Sequence, residues 1–484
     1  MQQLSGLDAS MLYAETAQTP NHVAAFYTYD PASAGGDVSF DAIANNVERR
    51  LGLSRTFRRK LVTVPLGLDH PYWIEDADFD LEFHLRHVSL PPPGSWPQVC
   101  DLVARLHAQP LDLSRPPWEM HVIEGIGDGV DGIPRNGFAI LIKVHHAAVD
   151  GVSGLELITV LHDREPNASP PTGDPAWKPE SPPTIWAMLS RAGVNNLMKP
   201  MHAARVARRI APALVRVPIR MRRGTLQAPP TSMPRTRFNA PVGPHRSIGA
   251  IRTPFADVKR ARSPVPGSTI NDVVMTIVGG AMRRYLDAKG ELSEQSMVAL
   301  VPISTRTSAE SAGGNRVTMM TATLATHETD PVKRLALVSL GMQEVKDLSN
   351  AVGGRTLADL SDAVPGLLLG LASRAQSLVA SRNRDRTIAN AAITNVPGPT
   401  EPLYFTGARV VGPYGAGPLP HGLGLMHLVS SYAGEFQFSF TADREMVPDP
   451  TFYSQCLRES LEELSAAASG KASISRPRSS SRAG

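Results

Sequence analysis

The sequence predicts a mixed α/β protein made of two halves in one chain, joined by a long connection. Helical and strand patterns alternate up to about residue 165 and resume from about residue 246. The stretch between them is first proline-rich and then basic, with no strand pattern. At 484 residues, 42% hydrophobic and 19% charged, the chain can bury a sizeable core in each half. The expected organisation is a first half over 1–165, a linker over 166–245, a second half over 246–470 and a disordered basic tail over 471–484.

In the first half, "SFDAIANNVERRLG" (Ser39–Gly52) reads as a capped helix, with Asp41 in its first turn and Gly52 closing it. "WPQVCDLVARLHAQPL" (Trp96–Leu111) is a second helix, with Val99, Leu102, Val103 and Leu106 along one face. "WEMHVIEGI" and "GFAILIKVHH" read as strands, the latter apolar enough to lie at the centre of a sheet.

The connection opens with "EPNASPPTGDPAWKPESPPT" (Glu165–Thr184), which has no periodicity. The helical stretch after it should be kinked or divided at Pro200. At 100° per residue Arg205, Arg208 and Arg209 share one face; Ala203, Val206, Ala207, Ile210 and Leu214 share the other, expected to pack inward. No acidic residue occurs between Glu180 and Asp257, while arginines recur, among them Arg191, Arg216, Arg246 and Arg252, with Lys199. Such a segment suits an anionic partner, either a phosphate-bearing cosubstrate or a membrane surface. Nucleic acid is not expected, because aromatic stacking residues are sparse there.

In the second half, "STINDVVMTIVGGAMRRYLDAKG" (Ser268–Gly290) is a helix capped near Thr269 or Asn271 and closed by Gly290. "MVALVPIS" and "FQFSFTAD" read as strands, with Phe436, Phe438 and Phe440 alternating onto one face. Two distant cysteines, Cys100 and Cys456, exclude a disulfide framework and suit a reducing cytoplasm. The N-terminal stretch has no signal-peptide pattern. The most lipid-like segment, Ala363–Ala380, is interrupted by Arg374 and falls short of the roughly 20 residues of a membrane span.

The chemistry concentrates in "KVHHAAVDG", Lys143 to Gly151. Adjacent strand residues point to opposite faces, so His145 and His146 are poorly placed to chelate one metal. A catalytic base or a structural pair remains. Asp150 can lock the turn after the strand, and Gly151 leaves room for a substrate.

H-H-x-x-x-D-G is the signature of the CoA-dependent acyltransferase superfamily, and the rest of the chain resembles its bacterial wax ester synthase/diacylglycerol acyltransferase branch. The resemblance rests on "LSGLDASMLYAET", "TPNHVA" (Thr19–Ala24), "PLDLSRPPWEMHVIEG" (Pro110–Gly125), "NDVVMT" (Asn271–Thr276), "VPISTR" (Val301–Arg306), "GGNRVT" (Gly313–Thr318) and "TNVPGP" (Thr394–Pro399). Pro117 stands where the family usually has Leu before the Trp, and Asn21 where it usually has Met before His-Val.

The resemblance implies two chloramphenicol-acetyltransferase-like halves joined by a long crossover linker, with the site between them. It implies that His146 is the general base and that His145 shapes the pocket. Asp150 is implied to be structural, paired with an arginine for which Arg55 and Arg58 are candidates. Thr394 becomes a candidate oxyanion donor, with Asn395 beside it; Asn271 and Asp272 become pocket supporters, and Trp118 a packing residue. The implied activity moves a long-chain acyl group from acyl-CoA to diacylglycerol or a fatty alcohol, with no covalent acyl-enzyme, resident cofactor or metal. A peripheral association with the inner membrane or lipid bodies is expected. The alternatives are a same-fold acyltransferase for another alcohol or amine, and a non-catalytic lipid-surface-binding protein.

Overall fold

A computed structural model describes residues 1–35, 38–127, 129–134, 136–149, 160–168, 179–223, 226, 233–304, 317–352, 364–382 and 388–470. The chain begins with β1 (Gln2–Gln3), α1 (Gly6–Ala14), β2 (His22–Asp30), α2 (Phe40–Arg50), β3 (Arg59–Val62), β4 (Tyr72–Glu75) and β5 (Leu85–Ser89). α3 (Trp96–Ala108), β6 (Trp118–Glu124) and β7 (Phe138–His145) follow, and then the long helix α4 (Ile185–Arg222). Beyond it come β8 (Arg246–Pro254), α5 (Phe255–Ala261), α6 (Ile270–Ala288), β9 (Val298–Ser304), β10 (Val317–Thr323), α7 (Pro331–Val352) and α8 (Gly366–Arg382). The last elements are β11 (Ala391–Pro397), β12 (Tyr404–Phe405), β13 (Ala408–Ala416), β14 (Leu425–Tyr432), β15 (Glu435–Asp443) and α9 (Pro450–Ala468).

Two six-stranded mixed sheets carry the fold, in the orders β12-β13-β2-β7-β6-β5 and β10-β9-β11-β14-β15-β8. β7 is central and buried along its whole length, as its unbroken apolar run requires. α3 starts at a capping box between Ser95 and Gln98 and buries Val99, Leu102 and Val103. α6 starts at Thr269, and Gly290 takes the left-handed conformation just past its end.

The sheets share chain. β12 and β13, from late in the sequence, complete the first sheet, with β13 antiparallel to β2 so that Gly415 faces Ala25 and Ala416 faces Ala24. A seam core of Ala24, Phe26, Val99, Leu141, Ile248 and Tyr414 joins both sheets to α3. β15 is therefore buried on both faces. Phe436, Phe438 and Phe440 enter the second core, while Ser439 and Thr441 accept hydrogen bonds from Gly415 and Gly417 across the seam.

Several local expectations change. Gly52 does not close α2; the chain tightens into a 3-10 turn over Leu51–Leu53. α4 is not divided, and it runs through Pro200, Pro212 and Pro218. All three prolines are exposed, so water can take up the carbonyls they leave unpaired. Ala203 and Ala207 are exposed, because α4 seats only a narrow stripe including Met188, Ala192, Lys199 and Val206. Part of the basic stretch is internal: Lys199 pairs with Asp69 at 3.0 Å and Arg246 is buried, while Arg237 pairs with Glu291 at 2.6 Å at the surface.

Candidate active site

β7 ends at His145, and the chain turns at once into a 3-10 turn over His146–Val149. Two carbonyls from neighbouring segments hold the pair. Pro117 accepts the His145 amide at 2.9 Å, and Asn21 accepts the His146 amide at 2.9 Å. These are the two positions that depart from the family pattern. Each contributes a backbone oxygen to the histidines, which any residue supplies.

His145 is fully buried. Its Nδ1 accepts the Ala147 amide at 3.2 Å, so the ring hydrogen sits on Nε2, which donates to Glu15 Oε2 at 3.1 Å. The other oxygen of Glu15 accepts the Asn21 amide at 3.3 Å. One carboxylate thus fixes the His145 ring and the peptide that holds His146.

His146 is only partly buried. Burial, with a smaller contribution from His145, pushes its pKa below the ordinary 6.5. A neutral imidazole keeps a lone pair on one ring nitrogen, which can accept a proton.

The loop is supported from beneath. Thr56 Oγ1 donates to the Ala148 carbonyl at 3.4 Å, and Trp118 Nε1 donates to the Phe57 carbonyl at 2.9 Å. Trp118 is buried edge-on to Phe57 and stacked on His84, with ring centres 4.5 Å apart, as a packing residue. Arg55 and Arg58 both approach Glu75, at 3.5 and 3.9 Å. Asp150 and Gly151 lie outside the described residues.

Thr394 and Asn395 are partly exposed on β11, beside Leu428 and Val429 of β14. Thr394 shares the strand face of Ala392. Their β14 partners, Leu428 and Met426, press against Gly415 and Gly417 at the end of β13. The Gly417 carbonyl accepts His107 Nε2 at 3.1 Å, the His107 carbonyl accepts His22 Nε2 at 2.7 Å, and His22 lies opposite His145 in the β2–β7 register. This chain of contacts puts the threonine face and the histidine strand on one seam. Asp272 holds the start of α6 in place: it caps the helix through the Thr269 amide at 2.7 Å and accepts Ser339 Oγ of α7 at 3.0 Å. Asn271 sits partly exposed in the first turn of α6.

Glu15, His22, His107 and Thr56 are not among the site residues that the sequence singles out. Each stands alone in the sequence, and its partner lies 85 to 130 residues away for Glu15, His22 and Thr56 and 310 for His107. A polar cavity bounded by Asn46, Arg49, Arg50, Asp163 and Thr406 lies toward the opposite end of the first sheet and does not belong to this site. Among the described residues no group of three or more His, Cys, Asp or Glu side chains could hold a metal ion. No helix among them is long and apolar enough to cross a membrane.

The sequence matches the wax ester synthase/diacylglycerol acyltransferase catalytic domain over residues 4–274 and the WS/DGAT C-terminal domain over residues 313–465. A Mycobacterium tuberculosis (strain CDC 1551 / Oshkosh) protein named "Putative diacyglycerol O-acyltransferase" is 33% identical over 464 residues, covering 96% of this chain and 90% of the relative. A second protein of that name from the same strain is 34% identical over 469 residues, covering 95% of this chain and 99% of its own length. Among solved structures, the wax ester synthase/diacylglycerol acyltransferase from Marinobacter aquaeolei VT8 superposes with a TM-score of 0.69 at 26% identity, over 97% of this chain and 100% of that one. The first condensation domain of the CDA synthetase shares the fold, with a TM-score of 0.53 at 13% identity over 96% of this chain and 97% of its own. Both family domains, full-length relatives and the two-sheet fold agree: the chain belongs to the wax ester synthase/diacylglycerol acyltransferase family and is an acyltransferase.

Proposed function

We propose that this chain transfers a long-chain fatty acyl group from acyl-CoA to a lipid alcohol, diacylglycerol or a fatty alcohol, with His146 as general base. The names of its relatives and of the Marinobacter structure support the substrate class. The observation that carries the chemistry is the His146 ring itself, kept neutral by burial at the end of a central strand, so that one ring nitrogen has a lone pair.

An alcohol is a poor nucleophile at neutral pH. As its oxygen bonds to the thioester carbonyl carbon, the lone-pair nitrogen of His146 takes the hydroxyl proton, a step that typically contributes about 10²–10⁴-fold. The tetrahedral intermediate carries its negative charge on the former carbonyl oxygen, for which Thr394 is the proposed donor, with Asn395 beside it. Collapse breaks the C–S bond, and the imidazolium returns its proton to the departing CoA thiolate. One ester and one free thiol result, and no acyl group passes through the protein. Asp150 is proposed to hold the loop and Gly151 to leave space for the acceptor. His145 shapes the pocket, Asn271 and Asp272 support it from the start of α6, and the reaction takes place at a lipid surface.

The test is His146→Ala in a CoA-release assay with palmitoyl-CoA and either diacylglycerol or a fatty alcohol. Turnover should fall by about 10²–10⁴-fold. Full turnover in the variant would remove His146 from the mechanism.

A further inference from the structure

α8 is turned inside out. Its packed face is Gly366, Gly370 and Ser373, while Leu367, Leu368, Leu371, Leu378 and Val379 face outward. Gly366 is needed where it is: a Cβ there would sit 2.7 Å from the Asp69 backbone, and Gly370 faces the Tyr13 ring. A helix that packs only against protein and water puts its leucines inward. Here Leu368 is 57% exposed.

α4 shows the same feature. Opposite its seated stripe, Trp186, Val194, Leu197 and Met201 recur at helical spacing and continue into Arg205 and Arg208. Trp186 is 81% exposed and Leu197 79%. Both helices are anchored on one turn, through Asp69: Gly366 abuts its backbone, and Lys199 and Asn195 bond its carboxylate. α8 also packs on α1, whose C-cap Glu15 holds His145. The outward leucines are thus one helix away from the histidine pair.

Charge identifies the occupant. Neither α4 nor α8 contains an Asp or Glu, while Arg191, Arg205, Arg208, Arg216, Arg374 and Arg382 are all exposed. A second copy docked by a two-fold axis would set these arginines against themselves. An anionic bilayer takes both the leucines and the arginines. We propose that the outer faces of α8 and α4 dock this protein on an anionic phospholipid surface, the leucines entering the acyl boundary and the arginines meeting phosphates. Acceptor alcohol then arrives from the membrane beside the site, a step that rests on the proposed function.

The full chain is mixed with vesicles of phosphatidylcholine, alone or with about 30% phosphatidylglycerol, and flotation is measured. CoA release is measured in parallel, with vesicle-borne diacylglycerol and with a water-soluble short-chain alcohol in the absence of vesicles. Wild type should partition at least about tenfold better onto the anionic vesicles. Leu368→Glu/Leu371→Glu, checked for an unchanged melting temperature, should float at least about tenfold less and lose turnover of vesicle-borne acceptor while keeping that of the soluble one. Arg205→Gln/Arg208→Gln should lose the preference for anionic vesicles. Wild-type flotation of both variants overturns the proposal, as does a wild-type dimer that the leucine variant splits, seen by light scattering. Leucine-dependent flotation without turnover of any alcohol would leave the docking surface standing and remove the proposed function.

Discussion

Glu15→Gln isolates how the proposed general base, His146, is positioned. The carboxylate meets two donors, His145 Nε2–H at 3.1 Å and the Asn21 amide at 3.3 Å. A glutamine offers one oxygen and one NH2, so one of the two donors must face another donor. A hydrogen bond to a charged group is worth about 1.5–3 kcal/mol, and a buried donor left unsatisfied costs about 1–3 kcal/mol. These overlap, so a stability loss of about 2–3 kcal/mol is expected in denaturant unfolding. The Asn21 carbonyl holds the His146 amide at 2.9 Å, so loosening that peptide moves the base. A displacement of about 1 Å can cost about 10²-fold.

Turnover by CoA release should therefore fall by about 10–100-fold, with the KM for acyl-CoA within about twofold. Glu15 does not touch His146, so it is a positioning residue, and the diagnostic is non-additivity. Added to His146→Ala, Glu15→Gln should slow the reaction no further. Independent multiplication of the two losses, or a wild-type rate in Glu15→Gln alone, would refute the coupling through Asn21.

The remaining predictions concern pH. Because burial and His145 lower the His146 pKa, activity should fall in acid with a midpoint below the ordinary 6.5 and be level just above it; a midpoint above 6.5 would count against His146 as the base. Stability should also fall in acid, since burial pushes His107 and His427 from 6.5 to about 3. Below 6.5 the unfolded chain takes up protons at these positions and the folded chain does not, so the loss begins there and continues toward the folded values. At pH 5 each contributes about 2 kcal/mol, and equal denaturant stability at pH 5 and 7.5 would show that these rings are not buried neutral.

Local signals carried the local structure. The capping residues around Ser95 and Thr269, the buried face of α3 and the apolar run of β7 are each readable within a dozen or so residues. The histidine pair stands out for the same reason, because the pattern that marks it lies in adjacent residues. The pairing of β13 with β2 joins residues 24–30 to 408–416, and no periodicity encodes a partner so far along the chain. α8 shows a subtler limit. Periodicity tells which residues share a face, but not which face turns inward. Ala363–Ala380 read as lipid-like from composition, yet only the close fit of Gly366 against the Asp69 backbone reveals that the leucines are left outside. In α4 the same ambiguity sent Ala203 and Ala207 to the wrong side.

The exchanged strand explains why the site depends on both ends of the chain. Without β13, β2 would be a bare edge immediately beside the histidine strand, and the Gly417 carbonyl that orders His107 would be missing. Arg246, buried at the start of β8, donates to the Gln18 carbonyl, three residues before Asn21. The loop whose carbonyl fixes His146 is thus tied to α1 through Glu15 on one side and to the second sheet through Arg246 on the other. A general base must be held to within a fraction of an ångström, and a loop anchored at one end alone would swing. Anchoring it to both sheets ties the position of the proposed base to the seam between them.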